Sequence, residues 1–202
     1  MISDKQKGAD IAQNQTRFED LPLSQELING IKGANFEFCT PIQASSLPFS
    51  LNGRDVVGQA QTGTGKTASF TLPMIDILAA GRAKARMPRS LILCPTRELA
   101  IQVSEEIINL QGSKGIEVCV IYGGTDIEKQ AKKLQKGADI IVGTPGRVID
   151  MTKRGHINLG MVKIFCLDEA DRMIDMGFGP QVETVLDLSL IHISEPTRRY
   201  AI

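Results

Sequence analysis

Three carboxylates stand at the end of an apolar stretch. The segment "KIFCLDEADRM" runs from Lys163 to Met173 and places Asp168, Glu169 and Asp171 close together. Its apolar half is typical of a buried strand, so the carboxylates are expected where that strand reaches the surface. Carboxylates there either cap the next helix or hold a hard cation and a water molecule. The choice depends on whether another part of the chain brings a phosphate to them.

A glycine-rich segment is the candidate for binding that phosphate. In "GQAQTGTGKTASF", Gly63 and Gly65 allow conformations in which successive N–H groups turn inward around a phosphate. Lys66 is expected to reach the β- and γ-phosphates, and the Thr67 hydroxyl to contact Mg²⁺. Ala60 stands where the general pattern has glycine, and a tight connection without a ligand is the alternative. A Gly-Lys-Thr sequence at the start of a helix favours phosphate binding.

Together the two segments predict one site. Asp168 is expected to hold the same Mg²⁺ through water, as acidic residues do in other phosphate-loop enzymes. Glu169 is then placed to orient or deprotonate a water in line with the γ-phosphate. Helix capping becomes the less favoured role for both carboxylates.

Alternating patterns predict the fold that positions these segments. Five apolar runs are typical of buried strands: "DVVGQ", "SLILCP", "EVCVIYGG", "ADIIVGTP" and "KIFCLDEA". Apolar residues recur on one face of Arg97–Leu110 and of Asp126–Lys136, which predicts helices between strands. The alternation indicates an α/β domain with a parallel sheet covered by helices on both faces. Binding is expected at the carboxyl ends of the strands, where the unusual motifs fall.

Composition limits the class of protein. The chain has 202 residues, enough for one large α/β domain, and its 23 basic and 23 acidic side chains cancel. A nucleic-acid surface would therefore be a local patch. With no apolar run long enough for a membrane span and no signal peptide, we expect a cytoplasmic protein without a membrane partner. The four cysteines lack metal-ligand spacing and are predicted to be buried.

The order of its motifs is that of a known family: the chain resembles the DEAD-box ATP-dependent RNA helicases. "FEFCTPIQ", "AQTGTGKT", "PTRELA", "GG", "TPGR" and "DEAD" follow one another between Phe18 and about Leu188. Stretches such as "NGRDVVGQAQTGTGKT" are similar to bacterial members. The resemblance implies the first RecA-like domain of such an enzyme, which couples ATP binding and hydrolysis to RNA binding and local unwinding.

The resemblance also implies ATP and Mg²⁺ as cofactors. Gln43 would pair with the adenine edge, Thr40 would brace Gln43 or the phosphate loop, and Phe18 would stack on adenine, with a core anchor as its alternative. The residues implied to bind the nucleotide are Phe18, Thr40, Gln43, Gln61, Thr62, Gly63, Thr64, Gly65, Lys66 and Thr67, with Thr67 and Asp168 at the metal and Glu169, Lys66 and Asp168 in catalysis. Asn35 replaces a usual glycine, and its turn is expected to survive because asparagine tolerates the left-handed conformation.

For RNA, the resemblance implies contacts to phosphates and riboses. The residues are Thr96, Arg97, Gly124, Thr144, Gly146 and Arg147. Hydroxyls, arginines and helix N-termini suit a nucleic-acid backbone, so binding independent of sequence is expected. Without the family, "GG" and "TPG" are equally well ordinary turns. Four lysines on the next helix are interpreted as a solvated face and not as an RNA-binding surface: Lys129, Lys132, Lys133 and Lys136.

The sequence is expected to divide into three segments. Residues 1–15 are predicted to be disordered, and residues 16–188 to form the helicase ATP-binding domain with its Q motif. Residues 189–202 lack the family's Ser-Ala-Thr motif and are similar to adapter-derived tails, so their native origin is doubtful; a strand "LIHIS" is the alternative.

The second RecA-like domain of the family is missing from this chain. Its arginines complete the nucleotide site, and such an arginine contributes roughly 10³–10⁵ to the rate. We therefore expect the fragment alone to be inactive in unwinding. The alternative hypothesis is a non-catalytic nucleotide- and RNA-binding module.

Overall fold

The computed structural model describes residues 16–61, 63–80 and 88–190. For residue 190 it describes the backbone alone. Thr62, the predicted disordered segment 1–15 and residues 191–202 of the predicted tail lie outside these ranges. The described strands are β1 Ser90–Leu93, β2 Val118–Ile121, β3 Ile140–Gly143 and β4 Ile164–Leu167. The described α-helices are α1 Gln25–Gly33, α2 Pro41–Leu51, α3 Lys66–Ala80, α4 Arg97–Leu110, α5 Ile127–Gln135, α6 Pro145–Lys153, α7 Ala170–Asp175 and α8 Gly179–Leu190.

The four strands form one parallel sheet in the order β2-β3-β1-β4. Leu93 at the end of β1 is aligned with Gly143 of β3 and with Leu167 of β4, and Ile121 of β2 is aligned with Gly143. All four strands therefore end at the same level. The motif that follows each strand begins at one edge of the sheet.

Helices cover both faces of this sheet, as the sequence predicts. Isoleucine, valine and leucine make up most of the strands, whose side chains point alternately to the two faces. One core layer joins strand residues to helices α1, α3 and α4 through Ile92, Val142, Cys166, Leu27, Leu72 and Val103. The other joins them to α5, α6 and α8 through Leu91, Ile121, Ile141, Leu134, Met151 and Val185. The predicted α/β fold class is confirmed.

Local sequence signals account for the helix boundaries. Helix α4 has the predicted bounds, and its N-cap residue Thr96 accepts a hydrogen bond from the N–H of Leu99 at 3.3 Å. Helix α5 begins after Asp126, whose carboxylate accepts from the N–H of Glu128 at 2.9 Å. Asn35 has a φ of 62°, so the left-handed turn expected at that position is present.

One predicted strand is wrong. Residues 54–61, which include "DVVGQ", have no regular secondary structure, and the side chain of Val57 is 90% exposed. The apolar pattern was correct for a strand, but a strand also requires a neighbour for its hydrogen bonds. In the described sheet β4 pairs only with β1, and no described strand pairs with residues 54–61.

The four cysteines are all buried, which confirms their prediction as small core residues. Burial raises the pKa of the Cys119 thiol and of the Cys39 thiol to about 11. Among the described helices, none combines the length and the apolar character that a membrane span requires.

Candidate functional site

The glycine-rich loop leads directly into helix α3. Gly63 and Gly65 both have a φ of +80°, a conformation that other residues rarely adopt. The Thr64 hydroxyl donates to the carbonyl of Gln61 at 2.6 Å and closes the turn. Lys66 is the first residue of α3, so the free N–H groups at the start of that helix point towards the loop. This arrangement of N–H groups and a lysine fits a phosphate chain.

Gln43 holds this loop from the side. Its Nε2 donates to the carbonyl of Gly65 at 2.9 Å, and its Oε1 accepts from the N–H of Thr40 at 2.9 Å. A Cβ atom at position 65 would overlap Gln43 Nε2, so the approach of the two segments requires glycine. Gln43 therefore joins Thr40 to the phosphate loop by hydrogen bonds, and a role for these residues at a nucleotide stays a prediction.

The residues predicted to contact adenine lie inside the protein. Gln43 is 2% exposed, and both ends of its amide have partners within the chain. Phe18 is also 2% exposed, and its ring centroid lies 6.5 Å from that of Phe36 in a tilted arrangement. In this structure Phe18 is a core residue, which was the alternative to stacking on adenine. Contact of either side chain with a base would require these internal contacts to be exchanged.

Asp168 follows β4 at the edge where the strands end. Its N–H donates to the carbonyl of Leu93 at 3.0 Å, and the residue is buried. Burial raises the pKa of the Asp168 carboxyl to about 6, with a further contribution from the charge of Glu169, while the charge of Lys66 opposes the shift. The phosphate-loop lysine and the carboxylate are thus near enough to interact. A buried carboxylate of this kind is stabilised by a bound cation.

Glu169 has an unusual backbone for its residue type. Its φ of 54° and ψ of 50° are left-handed, at the N-cap of α7. Such conformations cost of order 1–3 kcal/mol and are concentrated at functional sites. Arg172 Nη1 donates to Glu169 Oε2 at 3.0 Å, and the N–H of Arg172 donates to the carboxylate of Asp171 at 2.9 Å. Asp171 itself is exposed.

The sequence analysis missed Arg172 and Glu106. Arg172 had a signal, because an acid and an arginine three residues apart on a helix face each other. Glu106 lies on α4 beside Thr67. Burial raises the pKa of the Glu106 carboxyl, a hydrogen bond from Thr67 lowers it, and the charge of Asp168 raises it. In the sequence, the one indication that Glu106 is partly buried is its position between the apolar residues Val103 and Ile107, both of which are buried.

The residues predicted to contact RNA lie after β1, β2 and β3. Thr96 and Thr144 are the N-cap residues of α4 and α6. Gly124, with a φ of +78°, lies in the exposed loop after β2, and Gly146 lies in the first turn of α6. The six residues are brought to the same edge as Asp168 because the strands end in register.

The two arginines of this group are held by neighbours that the sequence analysis did not identify. The guanidinium of Arg97 lies over the ring of Tyr122, 4.7 Å from its centroid. Arg147 Nη2 donates to the carbonyl of Thr125 at 2.9 Å, and its Nη1 donates to Gln130 Oε1 at 3.2 Å. Both arginines are therefore linked to the loop that follows β2.

A cleft of about 870 Å³ lies elsewhere, between α1 and α4. Glu106 and Phe36 are among its lining residues, but none of the residues of the glycine-rich loop lines it. We locate the candidate phosphate site by the loop geometry, because N–H groups and a lysine are the ligands that a phosphate requires.

Comparison with known proteins agrees with this geometry. The sequence profile described as "DEAD/DEAH box helicase" matches residues 40–200. The ATP-dependent RNA helicase RhlB of Pseudomonas syringae pv. tomato is 45% identical over 179 residues, which cover 86% of this chain and 45% of that protein. The DEAD-box ATP-dependent RNA helicase CshA of Geobacillus kaustophilus is 48% identical over 171 residues, which cover 85% of this chain and 36% of that protein.

A solved structure is similar throughout the described fold. The crystal structure of a DEAD box protein from the hyperthermophile Methanococcus jannaschii superposes with a TM-score of 0.82 at 44% identity. The match covers 92% of this chain and 49% of that one. This chain belongs to the DEAD/DEAH box helicase family. It spans less than half the length of the two curated relatives named above.

Proposed function

We propose that this chain is the ATP-binding, RecA-like part of a DEAD-box RNA helicase. The complete protein would couple binding and hydrolysis of ATP to RNA binding and local unwinding of duplexes. The observation that carries the proposal is the geometry of the phosphate loop. Gly63 and Gly65 each have a φ of +80° directly before Lys66, the first residue of helix α3, and Gln43 donates to the carbonyl of Gly65 at 2.9 Å. The arginines Arg97 and Arg147 lie after strands that end in register with the strand before Asp168.

For the nucleotide, we assign the phosphates to the loop and to Lys66. The N–H groups that follow Gly63 and Gly65 and the ammonium of Lys66 would neutralise phosphate charge. Thr67 and Asp168 would hold Mg²⁺, which supplies positive charge to the phosphate oxygens when bound. The remaining nucleotide contacts are proposed for Phe18, Thr40, Gln43, Gln61, Thr62 and Thr64.

For hydrolysis, we assign the attacking water to Glu169. Glu169 follows Asp168 directly in the chain, and its left-handed backbone at the N-cap of α7 fixes the direction of its side chain. The ion pair with Arg172 restrains the carboxylate further. Since Glu169 is partly exposed, a water molecule can reach it.

For RNA, we assign the backbone to Thr96, Arg97, Gly124, Thr144, Gly146 and Arg147. Two arginines, two helix N-termini and exposed loop N–H groups are groups that bind phosphates and carry no base code. Residues 16–188 would form this domain, and a second RecA-like domain would complete both sites. We predict that RNA binding does not depend on the RNA sequence. A cytoplasmic location of the protein is also a prediction.

The proposal is tested by nucleotide binding to Lys66→Ala. We expect the substitution to weaken a fluorescent ATP analogue at least tenfold in the presence of Mg²⁺, since a charge-assisted contact contributes about 1.5–3 kcal/mol. Adenosine, measured by competition, should bind equally to both proteins because it lacks phosphates. Lys129→Ala, on the exposed face of α5, is the matched control and should bind as the wild type does. Unchanged ATP affinity in Lys66→Ala would refute the assignment of the loop.

A further inference from the structure

Gln130 is a buried polar side chain that none of the sequence motifs includes. It lies on α5 and is 7% exposed. Its Nε2 donates to the carbonyl of Tyr122 at 3.1 Å and to the hydroxyl of Thr125 at 2.5 Å. Its Oε1 accepts from the N–H of Tyr122 at 3.3 Å. One amide therefore fixes both ends of the loop from Tyr122 to Thr125.

The same loop contacts both arginines of the candidate RNA surface, which themselves lie on α4 and α6. Arg147 donates to Gln130 Oε1 with one nitrogen and to the Thr125 carbonyl with the other, at 3.2 and 2.9 Å. Arg97 lies on the ring of Tyr122, whose backbone is held at both its N–H and its carbonyl by Gln130. Arg147 is thus held directly by Gln130, and Arg97 is held through Tyr122.

We infer that Gln130 is a positioning residue for RNA binding, which holds Arg97 and Arg147 at a fixed separation on one surface. The inference rests on the proposed function, in which these arginines contact RNA phosphates. Because Gln130 is buried, it acts through the arginines and does not touch the RNA.

The physical reason is preorganisation. A free arginine side chain loses much rotamer freedom when it is fixed on a ligand, and this loss weakens binding. An arginine that is already held against the protein loses less of that freedom on binding. Arginine has five N–H donors, so the two hydrogen bonds of Arg147 to Gln130 and Thr125 leave others for a phosphate. A neutral amide also suits the position, since a carboxylate there would offset the positive charge that attracts the phosphates.

The test is a set of double-mutant cycles in RNA binding. Gln130→Met keeps the length of the side chain and removes its hydrogen bonds. We would measure the affinity of a single-stranded oligonucleotide by fluorescence anisotropy at low salt, with the wild type, Gln130→Met, Arg97→Ala/Arg147→Ala and the triple variant. Gln130→Met should weaken binding roughly five- to tenfold in the wild-type background and less than about twofold when the arginines are absent. Gln135→Met, on the exposed end of the same helix, is the control and should bind as the wild type does.

Nucleotide binding separates positioning from a general loss of structure. Affinity for the ATP analogue should be the same in Gln130→Met and in the wild type, because the phosphate loop lies on other elements. An equal loss of RNA affinity with and without the arginines, or a parallel loss of ATP affinity, would overturn the inference and show a structural role. If Gln130→Met does not fold, Gln130→Leu takes its place in the same cycles, since it also removes every hydrogen bond of the amide without adding charge; unchanged RNA affinity would then overturn the inference.

The two proposals fail in different ways. If the wild-type chain binds RNA and Gln130→Met binds it equally well, the positioning role is wrong and the proposed function stands. If the wild-type chain binds the ATP analogue but no RNA, the RNA part of the proposed function is wrong, and the positioning role is overturned with it.

Discussion

At position 65 the phosphate loop has no room for a side chain. A Cβ atom there would overlap Gln43 Nε2, whereas a Cβ at Gly63 meets nothing within 4 Å, although both glycines have a φ of +80°. Both substitutions to alanine force an unfavourable left-handed conformation, at a cost of about 1–2 kcal/mol. Only Gly65→Ala also displaces the glutamine that holds the loop.

We therefore expect Gly65→Ala to lower the free energy of unfolding by more than Gly63→Ala does. The additional loss should be about 1–3 kcal/mol, the usual range for an overpacked site. Denaturant unfolding of both variants and the wild type measures the difference. Equal stability of the two variants would show that Gln43 does not contact the loop in solution.

Selectivity for adenine is the second prediction at the scale of single residues. ATP should bind in preference to GTP if Gln43 exchanges its internal bonds for an adenine edge, because an amide presents one donor and one acceptor. Gln43→Glu removes the donor and should abolish the preference. Competition of ATP and GTP against a fluorescent ATP analogue measures both effects. Equal affinity of the wild type for the two nucleotides would exclude the adenine assignment.

The sequence predicted individual residues well where their role is local. The left-handed glycines of the loop and the left-handed Asn35 follow from residue type and neighbours. Glu106 beside Thr67, and Gln130 beside Arg147, join segments that are distant in sequence. Such contacts depend on how helices pack, and residue type and spacing give no information about that packing.

At the scale of helices, α1 and α4 approach each other at a glycine. A Cβ at Gly30 would overlap the carbonyl oxygen of Leu110, at the end of α4, whereas Gly33 on the same helix has open space. Glycine in the middle of a helix lowers its stability, so Gly30 has a packing role that compensates. Residue type and spacing contain no signal for this contact, because it is made between two helices.

Gly30→Ala and Gly33→Ala should therefore have opposite effects. We expect Gly30→Ala to destabilise the protein by about 1–3 kcal/mol, since backbone atoms must move apart. Gly33→Ala should leave stability unchanged or raise it by about 0.5 kcal/mol, because alanine is the better helix former. Thermal unfolding of the pair, followed by circular dichroism, tests this. A stabilising Gly30→Ala would contradict the close approach of the two helices.

One strand prediction failed for a related reason. A helix satisfies its hydrogen bonds within one segment, so "RELAIQVSEEIINL" was enough to predict α4 with its bounds. A strand needs a partner, and the apolar pattern of "DVVGQ" contains no information about one. The four confirmed strands pair with one another, and residues 54–61 do not pair with them.

At the scale of the whole molecule, the two-layer core was predictable and the strand order was not. Continuous apolar strands alternating with one-sided helices allow only a sheet that is covered on both faces. The order β2-β3-β1-β4 depends on which strands are neighbours, and several orders satisfy the same sequence pattern. The position of the motifs did not depend on that order, because every parallel strand ends at the same edge.

In the proposed function, this chain binds ATP and RNA but needs the remainder of a helicase to turn ATP over. The carboxylates and Lys66 contact one side of the departing phosphate in our assignment, and the arginine that would stabilise the other side is assigned to the second domain. The chain covers 45% of the length of the Pseudomonas syringae relative, so the rest of that protein can be fused after residue 188.

The most direct test is RNA-stimulated release of phosphate from the 202-residue chain and from this fusion, each with Glu169 and with Glu169→Gln. We predict at most a trace of release from the short chain, release strongly stimulated by RNA from the fusion, and loss of that release in the fusion with Glu169→Gln while its ATP affinity is retained. Robust RNA-stimulated release from the short chain would show that one domain is sufficient for turnover, and full turnover in the fusion with Glu169→Gln would show that Glu169 does not activate the water.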